Sequence, residues 1–97
     1  MSGDSSGWQE SLLLHPNPNS GQFTVSTDWG AVAAGEKVWV EVVNALGQVV
    51  FREAVQPAAG RWNLDIQLQE RLSNGVYQLR VVREREGVVV RPVLLQR

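Results

Sequence analysis

The sequence contains no cysteine. That excludes a disulfide scaffold, a thiolate zinc site, an iron–sulfur cluster and a cysteine nucleophile. It does not fix a compartment, because an exported domain can simply lack disulfides. There is one histidine, His15, and one lysine, Lys37. No apolar run approaches the roughly 18 residues that a membrane-spanning helix needs. The opening residues MSGDSSGWQE carry neither a basic start nor an apolar stretch, so they do not read as a secretory signal. Small and polar, residues 1–10 are expected to be a flexible linker or a cloning scar, with the folded domain running over 11–97.

What is present suits one modest globular domain. The chain has 97 residues, 43% of them hydrophobic and 20% charged, too apolar a mixture for a disordered chain. The net charge of −1 hides a split. Residues 1–70 hold eight acids and three bases, a balance of −5, and residues 71–97 hold six arginines and two glutamates, a balance of +4. A basic last quarter could suit an anionic partner. The arginines alternate with valines, however, which reads as the solvated face of strands. No clustered basic patch with a matching motif points to nucleic acid.

The dominant hydrophobic period is two. Phe23 and Val25, then Val38, Val40 and Val42, then Val49 and Phe51 occupy alternate positions. Trp62, Leu64, Ile66 and Leu68 continue the pattern, as do Tyr77, Leu79 and Val81, and then Val88, Val90 and Leu94. Such alternation writes strands with one buried face. Turn residues fall between the runs. Asn44-Ala45-Leu46-Gly47 predicts a tight turn joining strands over 37–44 and 48–54. Pro57 to Gly60 precedes a strand over 61–68, Ser73-Asn74-Gly75 precedes one over 76–83, and Glu84 to Gly87 turns into one over 88–95. The stretch Pro16-Asn17-Pro18-Asn19-Ser20-Gly21 cannot continue a ladder, because its prolines lack amide hydrogens. About seven short strands with regular turns predict an all-β, antiparallel, immunoglobulin-like β-sandwich with almost no helix. Tyr77, just after a turn and entering a late strand, stands where sandwiches place a tyrosine corner. Pro92 predicts that the last strand lies at an edge or is bulged there.

Catalytic and metal-binding patterns are missing. No spacing around His15 resembles a ligand set, and His15 is read as packing beside the Pro-Asn-Pro turn. No nucleophile motif supports a Ser–His–Asp set, and no glycine pattern forms a phosphate cradle. Asp28, Glu41, Glu53 and Asp65 fall on outward faces or loops. The sequence therefore predicts a non-enzyme that needs no cofactor. Of the four tryptophans, Trp62 is in phase with the core, Trp39 points outward, and Trp8 and Trp29 are expected to pack over the ends of the sandwich.

Several of these features occur together in a known pattern. His15-Pro16-Asn17-Pro18-Asn19-Ser20-Gly21-Gln22-Phe23-Thr24-Val25 resembles the opening of the type A C-terminal sorting domain of the type IX secretion system. Val40 to Val50, through Asn44-Ala45-Leu46-Gly47-Gln48, resembles that family's central hairpin. Leu72 and Asn74-Gly75-Val76-Tyr77-Gln78-Leu79-Arg80-Val81 resemble its third motif, and Arg91 to Arg97 stands where the family has its short, basic, apolar end. The family often has an apolar residue where His15 stands and a final lysine where Arg97 stands.

The resemblance implies an address label on exported cargo of a Gram-negative bacterium. Such cargo passes through the periplasm to the cell surface or beyond. Its partners would be the outer-membrane translocon, a shuttle protein and a sortase-like peptidase that removes the domain, with the cut near or before residues 1–10. The residues expected to carry recognition or the motif are Pro16, Asn17, Pro18 and Gly21 in the first turn, Gly47 in the hairpin, Gly75 and Tyr77 at the corner, and Val93, Leu94, Leu95, Gln96 and Arg97 at the terminus. An edge strand could accept a strand from a receptor or from a second copy in a dimer. The competing reading is a fibronectin-like surface module holding a carbohydrate or protein through Trp39 or Trp29.

Overall fold

In the computed structural model the described residues are 7–29, 35–56 and 61–97. Alternating apolar residues build seven strands: β1 Leu13–His15, β2 Gln22–Asp28, β3 Val38–Val43, β4 Val49–Val55, β5 Arg61–Gln67, β6 Gly75–Arg83 and β7 Gly87–Leu95. Helix among the described residues is one turn, α1 Gly7–Glu10. The strands form two antiparallel sheets, ordered β1-β2-β5 and β4-β3-β6-β7. This is the expected sandwich. Strand β1 has only three residues, too few for a period to show in the sequence.

The core lies between the sheets. Phe23, Val25 and Ile66 from the smaller sheet face Val38, Val40, Val42, Leu79, Val81, Val93 and Leu95 from the larger one, all nearly inaccessible to water. Each such side chain contributes roughly 1.5–3 kcal/mol by leaving water. Trp8 and Leu12 are buried in the same cluster, so the core reaches back to residue 8. Residues 1–6, most of the expected linker, lie outside the described residues, as does the Pro57–Gly60 turn.

Two strands correct the expected facing of side chains. In β7 the buried residues are Val89, Val93 and Leu95, whereas Val88 and Val90 are exposed. The cause is one residue of loop. Arg83 pairs with Gly87, so the turn is Glu84 to Glu86 and Val81 faces Val89. A turn one residue longer would have exchanged the two faces along the whole strand. The run Val88-Val89-Val90 is apolar in both phases, and pairing with β6 decides it. In β4 the register shifts opposite Val42 and Val43. Val50 and Phe51 therefore both pack against the core, while Val49 is exposed.

A third correction concerns Arg83, expected on a solvated face. It is only 5% exposed. It shares the phase of Tyr77, Leu79 and Val81 and so points inward at the end of β6.

Candidate recognition surface

The pairings place the segments expected to carry recognition or the motif at one end of the sandwich. β1 ends there and β2 begins there, joined by 16–21. β3 and β4 meet there through the 44–48 turn, β5 leads into 68–74 and then β6, and β7 ends there. Pro16, Asn17, Pro18, Gly21, Gly47, Gly75, Tyr77 and 93–97 thus share one end.

The first turn is a strap over the C-terminal strand. β7 is an edge of its sheet, as Pro92 indicated, with β6 on its other side. The Asn17 side chain spans that edge as a strand would: Nδ2 donates to the Pro92 carbonyl at 3.0 Å, and Oδ1 accepts the Leu94 amide at 2.8 Å. Asn19 continues with its backbone, donating to the Leu94 carbonyl at 3.0 Å and accepting from the Gln96 amide at 2.8 Å. The Asn19 side chain holds the strap's own shape. It donates to the Pro16 carbonyl at 3.2 Å and accepts the Gly21 amide at 2.9 Å. Between residues 92 and 96 this edge is already paired. His15, just before the strap, is exposed.

Arg97 closes the same end. Its guanidinium donates to the carbonyls of Ser20 at 3.1 Å, Leu72 at 2.8 Å, Gln69 at 2.7 Å, Leu68 at 3.4 Å and also Glu70. Its backbone amide donates to Asn74 Oδ1 at 3.0 Å. A planar fork of donors can satisfy several carbonyls that a strand end leaves unpaired. Tyr77 braces the loop from below, its buried ring in the core and its hydroxyl donating to the Ser73 carbonyl at 2.7 Å. That is the expected corner geometry.

The opposite end holds a cluster that sequence reading missed. Arg83 makes a two-pronged pair with Glu36, Nε to Oε2 at 2.6 Å and Nη2 to Oε1 at 2.9 Å. Its guanidinium lies 3.9 Å from the Trp29 ring centroid and 5.0 Å from that of Trp8. Trp29 meets Trp8 and Trp62 edge-on, with centroids 5.6 and 5.3 Å apart. Trp8 and Trp29 do cover an end, and Trp62 does pack against the core. The signal for the ion pair was the inward phase of Arg83. On the outer face Trp39 is half-buried, with Arg52 5.8 Å from its ring centroid. Glu41 bridges Arg52 at 3.2 Å and Arg80 at 3.7 Å, surface pairs that contribute little. Among the described residues no three potential metal ligands of the His, Cys, Asp and Glu type come together. No described helix is long and apolar enough to cross a membrane.

The turns and the C-terminal strand of this seven-stranded sandwich close on one another at one end. The family model for the secretion system C-terminal sorting domain matches residues 13–95, and the chain belongs to that family, the C-terminal sorting domains of the type IX secretion system. No individual curated protein matches it. Membership makes the chain a C-terminal type IX sorting signal that interacts with the secretion machinery and transits the periplasm toward the cell surface or the extracellular space. The family is not an enzyme family.

Proposed function

We propose that the chain carries an attached cargo through the outer membrane and that the machinery reads the closed end formed by Pro16–Gly21, Asn44–Gln48, 68–77 and 93–97. The convergence of these separated motif segments on one end of the sandwich supports this reading. The partners are the outer-membrane translocon, its shuttle protein and a sortase-like peptidase that removes the domain at the surface. The cut falls before Trp8, whose side chain is part of the core. Pro16, Asn17, Pro18, Gly21, Gly47, Gly75 and Tyr77 act by holding this end in shape, and Val93 to Arg97 act as part of the surface so formed. Strand addition to β7, by a receptor or a second copy, would need the strap lifted from residues 92–96.

The test is delivery of a reporter fused ahead of the full chain in a bacterium running the type IX system. The parent fusion reaches the surface, and removal of 93–97 abolishes delivery. That truncation also takes Val93 and Leu95 from the core, so Gln96→Ala, at an exposed side chain, is measured beside it with thermal unfolding of each. Unchanged delivery after truncation would sink the reading. The alternative is a surface module holding a carbohydrate or protein through Trp39 or Trp29. Against it, the Arg52 guanidinium lies 5.8 Å from the Trp39 ring centroid and that of Arg83 3.9 Å from the Trp29 ring centroid, so both rings are partly occupied.

A further inference from the structure

All three guanidinium nitrogens of Arg97 donate to backbone carbonyls. Nε donates to Ser20, Nη1 to Glu70 and Leu72, and Nη2 to Leu68 and Gln69. These acceptors come from two separate segments, the end of the strap and the 68–72 loop, and all of them are neutral. Bonds that Arg97 does not make hold them in place. The Leu68 amide donates to the Gly21 carbonyl at 2.8 Å, which joins the two segments. The Leu72 amide donates to the Gln69 carbonyl at 3.1 Å, which closes the loop. The Gly21 amide is fixed on Asn19 Oδ1 at 2.9 Å, and the Tyr77 hydroxyl holds Ser73 just past the loop. Leu68 is buried in the core and Leu72 packs against it.

The site is also reachable. An open cleft of about 310 Å³ runs alongside it, with Gln22, Gln67, Glu70 and Arg97 in its lining. Gly21, with no side chain, leaves room for Nη2. We propose that the carbonyls of Ser20, Leu68, Gln69, Glu70 and Leu72 form a binding site for an alkylguanidinium group, filled by Arg97 in the closed chain and able to take such a group from solution when the Arg97 side chain is absent. Carbonyls already fixed by other bonds lower the ordering cost of binding. Selection is by shape and number of donors. A planar fork meets several carbonyls at once, whereas an ammonium of the same charge is a point donor that meets fewer.

The test needs only the purified chain and is independent of the sorting reading. Arg97→Ala is titrated with methylguanidinium, and with methylammonium as a control of equal charge. Methylguanidinium is expected to shift the amide NMR signals of Gly21 and residues 68–72 saturably, with half-saturation at about 1–10 mM for so small a ligand. At about 50 mM it should raise the Tm of Arg97→Ala by about 5 °C. The parent, whose site is filled, should show no such rise. Absence of a saturable shift, an equal response to methylammonium, or an equal rise in the parent overturns the site. The parent gives a second reading that does not depend on how well Arg97→Ala folds. Its Arg97 guanidinium should show hindered rotation and distinct Nη protons by NMR, unlike the exposed Arg85. Averaged signals matching those of Arg85 would also overturn it.

Discussion

A Cβ on Gly21 would lie 2.8 Å from Nη2 of Arg97 and 3.4 Å from its Nε. The strap and the terminus, 76 positions apart in the chain, are therefore fitted to each other. Gly21 also has φ of +114°. Gly21→Ala combines backbone strain of about 1–3 kcal/mol with displacement of the guanidinium. The expected result is a fall in Tm of roughly 10 °C, since about 1 kcal/mol shifts a domain of this size by some 4–8 °C. Differential scanning calorimetry checks it, and an unchanged Tm would refute the fit.

Arg97 itself separates charge from geometry. Arg97→Lys keeps a cation but replaces a planar fork with a point donor that cannot face five carbonyls at once. It is expected to retain part of the stability, whereas Arg97→Ala loses about 1–2 kcal/mol. Hydrogen exchange locates the effect: the amides of Leu94 and Gln96 should exchange faster in Arg97→Ala, and those of Val40 and Val42 should not. Uniform acceleration would mean that the side chain supports the whole fold rather than this end.

The strands of the core were legible because alternation and turn residues agree over β2, β3, β5 and β6. The facing of β7 was not, since Val88, Val89 and Val90 satisfy either phase and one residue of turn length decides between them. The tyrosine corner could be read locally, from Ser73 to Tyr77. The strap could not, because Asn17 finds Pro92 and Leu94 across the fold and no local period encodes that meeting. The sequence showed that the turns are specified; only the topology put them at one end. Arg83 was readable and was misread, since its phase with Leu79 and Val81 outweighs its charge once Glu36 and two indoles are there to receive it.

Asn17 offers a test of the strap as an edge cover. Asn17→Ala removes a donor to the Pro92 carbonyl and an acceptor for the Leu94 amide, leaving both to water. A loss of about 1–2 kcal/mol in urea unfolding is expected. Asn17→Asp keeps the acceptor alone and should fall between Asn17→Ala and the parent. An uncovered edge is also open to pairing with another strand, so Asn17→Ala should self-associate at high concentration, which sedimentation velocity would show. A strictly monomeric Asn17→Ala with full stability would remove the strap's role.

The buried pair at the far end predicts a particular non-additivity. Arg83→Met takes the two-pronged guanidinium contact from the Glu36 carboxylate, whose side chain is 2% exposed. Glu36→Leu does the reverse, stranding the guanidinium between Trp29 and Trp8. Each single change should cost about 3–5 kcal/mol. The double change removes both charges and keeps comparable volume, so it should recover most of that loss, giving a coupling above about 2 kcal/mol in a double-mutant cycle. Recovery should be incomplete, because the guanidinium also lies 3.9 and 5.0 Å from the ring centroids of Trp29 and Trp8, and methionine replaces those contacts only in part. Tryptophan fluorescence reads the same site directly. Arg83→Met should shift emission from the Trp8–Trp29–Trp62 cluster before global unfolding, while Arg80→Met, on the outer face, should leave it unchanged. Additive single effects would show that Glu36 and Arg83 are held independently by their neighbours rather than by each other.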